Sequence, residues 1–250
     1  MPLSRRSFTK NVIAATTVFS LPSFASSPVT AKNKKLKVVC TGGHPDDPES
    51  GCGGTLAKLT GNDHAVTIIY LTRGEAGIPG VSHEEAGRVR TKEAEAACQL
   101  LKCKPVFAGQ TDGDTVVNNE WVKKMQGLIE AEKPDIVFTH WPIDSHKDHQ
   151  AASLLTIQSW VRMGKSFALY FFEVCTGSQT MGFKPTDYVD IRATKEQKRK
   201  AVYCHGSQNP DEIYASGECN HALMEKFRGI EMNAIAAEAF VKMNGSPAEW

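Results

Sequence analysis

Residues 36–49 read Leu36-Lys37-Val38-Val39-Cys40-Thr41-Gly42-Gly43-His44-Pro45-Asp46-Asp47-Pro48-Glu49, an apolar run followed by a histidine and two aspartates. The run from Leu36 to Cys40 is short and mostly apolar, which predicts a buried strand. A second apolar run, 136–138, precedes the cluster Asp144-Ser145-His146-Lys147-Asp148-His149. Ligands of open α/β sheets bind outside the carboxyl ends of the strands, so the two clusters predict one site built from two loops.

Segments expected as strands alternate with segments expected as helices along most of the chain. We predict strands at 36–41, 65–71, 105–108, 135–139, 167–174 and 188–191, and helices at 51–60, 84–101, 121–132 and 149–161. The first of these helices is expected to open with the glycine-rich turn 51–54. Such alternation is typical of an α/β fold with a mostly parallel sheet covered on both faces.

The end of the chain carries Leu223, Phe227, Ile230 and Phe240 at a spacing close to that of a helix. This pattern predicts a last helix within 221–243 whose apolar side packs on the core, in preference to a groove for a partner.

Composition places the chain among soluble globular proteins. It has 250 residues, of which 41% are hydrophobic and 23% charged, enough for one large domain or two small ones. The formal net charge of +1 offers no basic surface of the kind that nucleic acids require, so no nucleic-acid partner is expected.

The first residues have the pattern of an export signal. A basic segment with Arg5-Arg6 precedes a modestly apolar run, 12–21, and the small residues Ser23 and Ala25. We predict a twin-arginine signal peptide at 1–25, a polar lead-in at 26–37 and the functional domain at 38–250. The protein would then use the twin-arginine export machinery and be periplasmic or secreted. The alternative is an amphipathic helix of the domain, and the apolar run is too short for a permanent membrane anchor.

Seven cysteines are scattered along the chain without a C-x-x-C pair. This spacing argues against a disulfide framework and against a zinc ribbon. A protein exported already folded can keep buried thiols reduced, so we expect free cysteines. Cys52 is close to the first cluster, but a buried apolar role is favoured over a ligand role.

The two clusters contain the residues of a catalytic metal centre. Such a centre uses three protein ligands and leaves one position open for water. His44 and Asp47 can be aimed at one point by a tight turn, and His149 follows the second strand. Two imidazoles and one carboxylate suit zinc, and they also suit other divalent metals such as iron.

The remaining polar residues have candidate roles in catalysis. Asp46 lies between the two proposed ligands, where a general base for an activated water would be placed. A cationic His146 could stabilise an oxyanion or protonate a leaving amine, and Asp148 could orient that imidazole. No G-x-G-x-x-G follows the first strand and no G-x-S-x-G is present, so nucleotide binding and serine-hydrolase chemistry are not supported.

At these residues the sequence resembles the PIG-L/LmbE-like de-N-acetylase family. The family's H-P-D-D motif is matched by residues 44–47, and its H-x-D-H motif by 146–149. Further similar segments cover most of the remaining chain: 72–77, Arg88 to Arg90 with Glu93, Asp112-Gly113, and His205-Gly206-Ser207-Gln208. The resemblance implies a Rossmann-like three-layer fold with a mostly parallel sheet.

The resemblance also implies a reaction. It predicts zinc at His44, Asp47 and His149, with Asp46 as the general base. His146 would be the electrostatic or acid partner, oriented by Asp148. The enzyme would hydrolyse an acetamide, usually on an N-acetylglucosamine-type sugar, and the candidates for substrate contact are Arg73, Asp112 and His205.

Two positions differ from the family pattern. Pro48 stands where many members have glutamate, which leaves the role of Glu49 open, and Lys147 stands where proline is common. Two other functions stay possible on the residues alone: hydrolysis of a different N-acyl small molecule, and non-catalytic binding of a sugar or metal. An intact Asp46 and His146 argue against pure binding, because a binder needs no base beside its metal.

Overall fold

The computed structural model describes residues 34–217 and 219–247. From Lys35 onward the chain forms one compact unit. The predicted signal peptide and the first part of the lead-in, 26–33, lie outside the described residues. Lys37, predicted to end the lead-in, is the first residue of a strand. Within the described ranges, no helix combines the length and the apolar character needed to cross a membrane.

The core of the fold is a seven-stranded sheet. Its strands in chain order are β1 (Lys37–Gly42), β2 (Ala65–Tyr70), β3 (Lys104–Phe107), β4 (Ile136–His140), β5 (Ala168–Phe172), β6 (Asp187–Asp190) and β7 (Ala237–Lys242). The spatial order is β3-β2-β1-β4-β5-β7-β6. The first five strands in that order pair in parallel, whereas β7 is antiparallel to both β5 and β6. The prediction of a mostly parallel α/β sheet is confirmed.

Helices cover both faces of this sheet. They are α1 (Asp47–Gly61), α2 (His83–Leu101), α3 (Asn119–Glu132), α4 (Lys147–Arg162), α5 (Lys195–Val202), α6 (Pro210–Tyr214) and α7 (His221–Glu231), with one 3₁₀ turn at Gly206–Gln208. Successive side chains of each strand point to opposite faces of the sheet, so the sheet has a hydrophobic core on each face. Val38 and Cys40 of β1 pack toward α1, α2 and α5, whereas Val39 packs toward α3 and α4. The molecule is therefore the three-layer sandwich expected from the sequence.

Helix α1 begins earlier than predicted, at Asp47, so the glycines of 51–54 lie within the helix and do not form its opening turn. Their role is close packing. A Cβ added at Gly51 would lie 2.9 Å from the carbonyl oxygen of Glu173, and one at Gly54 would lie 2.8 Å from Ile191. The absence of side chains lets the first turns of α1 approach the sheet and the segment after β6.

The prediction of a last helix with a core-facing apolar side is wrong. The helix ends at Glu231, and Phe240 belongs to strand β7. Leu223, Phe227 and Ile230 are 60%, 53% and 68% exposed. The side of α7 that faces the protein is polar, because α7 packs on a layer of buried ion pairs. Its Arg228 Nε lies 2.6 Å from Glu173, and its Glu225 lies 3.7 Å from Lys198 Nζ.

The cysteines also differ from expectation. Cys175 and Cys219 form a disulfide across 44 residues of sequence, joining the loop after β5 to the segment before α7. Sequence spacing gave no sign of this pair, because only the tertiary fold brings the two loops together. Five cysteines are free thiols, and Cys52 is among those that are buried, as predicted.

Candidate metal centre and catalytic cavity

The two polar clusters meet at the carboxyl edge of the sheet. Strands β1 and β4 are neighbours, and the chain leaves them in the directions of α1 and α4. A cavity of about 380 Å³ opens there. Its walls include His44, Asp46, Asp47, Ser50, Arg90, Asp112, His146, Val174, Cys175, Gln179, Gln208, Cys219, His149 and His221. The predicted single site built from two loops is therefore present.

His44 and Asp47 face each other across one turn. His44 Nδ1 lies 3.2 Å from Asp47 Oδ2, which also accepts a hydrogen bond of 2.7 Å from the His44 backbone N–H. The other ring nitrogen, Nε2, lies 3.1 Å from Asp148 and 3.2 Å from Asp112. Carboxylates on Nε2 orient the ring and leave Nδ1 directed at Asp47.

His149 reaches the same carboxylate from the second loop. Its Nε2 lies 3.2 Å from Asp47 Oδ1, and its Nδ1 lies 3.2 Å from Asp144 Oδ1. Asp144 was not predicted as a site residue. It is buried and accepts a further hydrogen bond from the Thr180 hydroxyl, so it fixes the orientation of the imidazole.

The donor atoms fit a divalent cation beside Asp47. Ligand atoms about 2.0–2.1 Å from a tetrahedral zinc are about 3.3 Å apart. Asp47 comes close to this separation through its two oxygens, with Oδ2 3.2 Å from His44 Nδ1 and Oδ1 3.2 Å from His149 Nε2. Among the described residues, three sets of three side chains have ligand atoms that all lie within 4.8 Å of one another: His44/His146/His149, Asp47/His140/His149 and His44/Asp112/Asp148. The predicted set of His44, Asp47 and His149 is not one of them.

His140, the last residue of β4, was missed by the sequence analysis. Its Nε2 accepts a hydrogen bond of 3.1 Å from the Gly43 backbone N–H and lies 3.3 Å from Asp47. Its ring stacks on His149 at 4.1 Å between centroids. Burial and the charge of His149 lower the pKa of His140 to about 4, so its imidazole is neutral. The signal was its place directly after the predicted strand 135–139, at the strand end from which the second cluster was expected to reach the site.

Carboxylates set the charges of the proposed ligands. Burial lowers the pKa of His44, but Asp47, Asp112 and Asp148 outweigh it and raise that pKa well above its ordinary value. Burial likewise opposes the charged form of His149, yet Asp47 and Asp144 raise its pKa to about 9. Burial would raise the pKa of Asp47, but the surrounding imidazoles hold it well below the usual range. Without a metal, the centre therefore holds imidazolium ions around a carboxylate.

Asp46 is held in an unusual backbone conformation at the cavity wall. Its φ of 107° lies in the region that favours glycine. Glu49 accepts a hydrogen bond of 3.2 Å from the Asp46 backbone N–H. Arg90 donates to the carbonyl of Pro45 at 2.6 Å and lies 3.2 Å from the Asp46 carboxylate. Burial raises the pKa of Asp46 to about 6, although Arg90 opposes this. That value suits a group that accepts a proton near neutral pH.

His146 borders the cavity from the N-terminus of α4. Burial and the charges of His44 and His149 lower its pKa, so the structure favours a neutral imidazole over the predicted cation. Its Nδ1 accepts a hydrogen bond of 3.3 Å from the backbone N–H of Asp148, which places the proton of the neutral ring on Nε2. A neutral histidine of this kind is a hydrogen-bond donor.

The carboxylate of Asp148 does not orient His146 as predicted. It accepts hydrogen bonds from the Gly113 backbone at 2.8 Å and from the Thr115 hydroxyl at 2.5 Å, and it contacts His44. The physical reason is the start of helix α4, which turns this side chain toward the 112–115 loop. Asp148 therefore acts on His146 through its backbone and on His44 through its carboxylate.

The candidate substrate contacts have three different outcomes. Asp112 borders the cavity, and its side chain is only 8% exposed. Arg73 is exposed and lies against Gly87 of α2, outside the residues that line the cavity; Arg90 supplies a guanidinium to the wall. His205 is fully buried, does not line the cavity, and lies 3.4 Å from Glu49. The prediction that His205 contacts substrate is therefore not supported.

Glu49, whose role was open, is the centre of a buried network. It accepts a hydrogen bond of 2.5 Å from the Tyr70 hydroxyl, faces His205, and holds the backbone of Asp46. Burial opposes the cationic form of His205, but Glu49 and Asp46 raise its pKa above the ordinary value. Glu49 is thus a support for Asp46 and not a ligand of the centre.

The fold and site define a class of α/β proteins that carry a histidine–aspartate centre at the carboxyl edge of a mostly parallel sheet. Residues 39–160 match the family model PIG-L, described as GlcNAc-PI de-N-acetylase. The chain is 34% identical over 202 residues to a diacetylchitobiose deacetylase from Thermococcus kodakarensis, covering 73% of each protein. The protein belongs to the PIG-L family of de-N-acetylases.

Solved structures agree with this assignment. An N,N'-diacetylchitobiose deacetylase from Pyrococcus horikoshii, bound to an inhibitor, superposes with a TM-score of 0.73 at 28% identity, covering 84% of this chain and 85% of the other. A 4-carboxy-2-hydroxymuconate hydratase from Pseudomonas putida also gives 0.73, at 18% identity, covering 86% and 99%. The second likeness concerns the fold alone, so function has to be argued from the site.

Proposed function

We propose that the protein is a metal-dependent hydrolase that removes the acetyl group from an N-acetylated amino sugar or glycoconjugate. One observation carries the proposal: Asp46, a carboxyl group with a pKa of about 6, lines the same cavity as His44, Asp47 and His149. A base of matched pKa beside a set of metal ligands is the arrangement that amide hydrolysis needs.

His44, Asp47 and His149 would hold the cation, with zinc the first candidate and iron an alternative. When bound, a divalent cation supplies Lewis-acid chemistry, which lowers the pKa of water and polarises a carbonyl group. Asp144 and Asp148 hold the two imidazoles in orientation through the nitrogens that face away from Asp47. Metal identity is part of the proposal and is tested by elemental analysis of the purified protein.

The chain's own residues supply the proton transfers. Asp46 accepts the proton of the attacking water and is placed to return it to the leaving amine, because its carboxylate lies in the cavity wall. Arg90 keeps that carboxylate in place, and Glu49 holds its backbone. His146, with its proton on Nε2, donates a hydrogen bond to the oxygen on which negative charge develops. The products are acetate and a free amine.

The names of relatives and the size of the cavity support the proposed substrate class. The Thermococcus relative and the Pyrococcus structure are both named as diacetylchitobiose deacetylases. A cavity of about 380 Å³ is within the usual range of small-ligand sites, about 300–1,000 Å³. Its wall carries polar groups for hydroxyls, among them Asp112, Gln179 and Gln208. We therefore place an N-acetylglucosamine-type ring in the cavity, and a different N-acyl small molecule is the alternative.

The decisive test uses Asp46→Asn, with Asp63→Asn as a matched change at an exposed position. We expect Asp46→Asn to keep about one metal ion per chain and to lose acetate release from N-acetylated sugars by at least about 100-fold, the usual contribution of a general base. Asp63→Asn should behave as the parent does. Equal turnover in all three proteins would remove the catalytic role, and a parent that binds sugar without releasing acetate would be a binding protein.

We also propose that residues 1–25 are a twin-arginine export signal and that the mature protein is periplasmic or secreted. The order of the Arg5-Arg6 pair, the apolar run 12–21 and the small residues before Ser26 supports this. The test is Arg5→Lys together with Arg6→Lys, followed by cell fractionation. We expect the parent outside the cytoplasm and the double variant retained. A chain that starts at Ser26 and fails to fold would instead favour an N-terminal helix of the domain.

A further inference from the structure

His221 is a cavity residue that neither the sequence motifs nor the proposed chemistry uses. It is the first residue of α7, it lines the catalytic cavity, and it is only 2% exposed. Its Nε2 is completely buried and has no hydrogen-bond partner within 34–217 and 219–247. Buried polar atoms are nearly always paired, so an unpaired one beside a catalytic cavity calls for a ligand or a water.

The position of His221 is tightly fixed. Asn220 begins helix α7, and its side chain accepts a hydrogen bond of 3.0 Å from the Leu223 backbone N–H. The preceding residue, Cys219, is joined to Cys175 by the disulfide, and both sulfur-bearing residues line the same cavity. A side chain held in this way loses little conformational freedom when a ligand binds.

A second, much smaller cavity also borders His221. It measures about 10 Å³, the size of a single water-sized probe. Ser50 and His221 border both cavities, and Lys198, Glu225 and Glu238 border only the small one. Glu225 Oε2 is the second buried atom here without a hydrogen-bond partner in the described chain. One water between His221 Nε2 and Glu225 Oε2 would satisfy both atoms.

The imidazole of His221 is neutral. Burial and the positive charge of Lys198 lower its pKa to about 3. A neutral imidazole has one donor and one acceptor nitrogen, and the hydrogen bond made by one nitrogen decides the role of the other. A water shared with Glu225 can accept a hydrogen bond from Nε2–H while it donates to the carboxylate, and in this arrangement Nδ1 is the acceptor nitrogen of the ring.

We propose that His221 is a substrate-positioning residue: its Nε2–H donates through a buried water to Glu225, and its Nδ1 accepts a hydrogen bond from a hydroxyl of the sugar in the cavity. This inference rests on the proposed function for the identity of the sugar. It gives helix α7 and the cavity wall at the Cys175–Cys219 disulfide a part in substrate selection. The residues that carry out hydrolysis are different ones.

The first test measures the tautomer directly. The ¹⁵N shifts of the His221 ring, assigned by their loss in His221→Asn, should show the proton on Nε2 throughout pH 5–8. This measurement needs neither metal nor turnover. A proton on Nδ1, or a ring that titrates in this range, would overturn the proposal.

The second test separates binding from chemistry. We expect His221→Phe to raise KM about tenfold, the effect of losing one neutral hydrogen bond, and to change kcat less than about threefold. His221→Asn, whose amide oxygen can accept, should recover part of the loss. His83→Phe makes the same change at an exposed residue and should match the parent. Melting curves of His221→Phe and His221→Asn check that both variants are folded, because each change alters the partner of the buried water next to Glu225.

Deoxy analogues of the N-acetylated sugar complete the test. Calorimetry on the Asp46→Asn background should show that one analogue loses affinity for the His221-containing protein but not for His221→Phe, which identifies the hydroxyl. A parent KM in His221→Phe would overturn this inference and leave the proposed function intact. A parent that releases no acetate from any N-acetylated sugar would fail the proposed function itself.

Discussion

The charges of the proposed metal centre predict how strongly metal binding depends on pH. His149 has a pKa of about 9, and the pKa of His44 is raised well above its ordinary value, so both are imidazolium ions at pH 7.5 in the metal-free protein. Only a neutral imidazole can coordinate a metal, so each must release its proton. His140, with a pKa of about 4, and Asp47, with a pKa well below its usual range, release none.

The expected magnitude is about two protons released per zinc bound at pH 7.5. Below the pKa of a ligand, each proton that must be released changes the metal dissociation constant tenfold per pH unit. With two such protons, the dissociation constant should fall about 100-fold for each unit between pH 6.5 and 8. Isothermal titration calorimetry at one pH in buffers of different ionisation heat counts the protons. A competition assay across the pH range gives the slope.

The matched variant is Asp144→Asn, which keeps the size of a side chain that contacts His149 and removes its charge. Loss of that carboxylate lowers the pKa of His149, so proton release should drop from about two toward one at pH 8, and metal affinity should fall about 10- to 100-fold. Release of less than one proton by the parent, or an identical count in both proteins, would refute the assignment of charges around Asp47.

Three further predictions concern other parts of the molecule. The kcat/KM of the metal-loaded enzyme should fall on the acid side with an apparent pKa at or below about 6, because Asp46 must be deprotonated to accept a proton and a nearby cation lowers its pKa further; a limb above pH 7 would contradict this. Glu49→Ala should lower turnover about 10-fold or more with metal content unchanged, whereas loss of the metal would make Glu49 part of the centre. Lys198→Met removes the cation 2.8 Å from buried Glu238 and leaves Glu225 with Lys195 alone, so it should lower the free energy of unfolding by about 3–5 kcal/mol in urea titrations; a change below about 1 kcal/mol would mean the network is solvated.

Much of the fold could be predicted from sequence because local patterns agreed with the global arrangement. Strands β1, β2, β4 and β5 are mostly apolar runs between turns, and parallel strands buried on both faces have this composition. The prediction for the end of the chain was wrong for a physical reason. Helix α7 packs on buried ion pairs through Glu225 and Arg228, so its apolar residues face outward and their spacing suggested the wrong side.

Site residues could be predicted where a sequence motif follows the end of a strand. Residues that only the tertiary fold brings to the cavity could not be predicted. His44, Asp46 and His149 line one cavity, as expected from two loops at neighbouring strands. Asp144 and His140 lacked a motif of their own, although both follow or end β4. His221 comes from a distant helix, and no local pattern connects it with the residues of the first cluster.

The close approach at Gly43 has an evolutionary consequence. A Cβ added at Gly43 would lie 3.0 Å from the His149 ring and 3.2 Å from Asp47 Oδ2, so a larger residue must displace these two side chains by a few tenths of an ångström. Gly51 is restricted in the same way by the sheet beneath α1. Homologues that have changed their substrate should therefore still keep glycine at both positions, whereas the cavity wall around Gln179 and His221 is free to diverge.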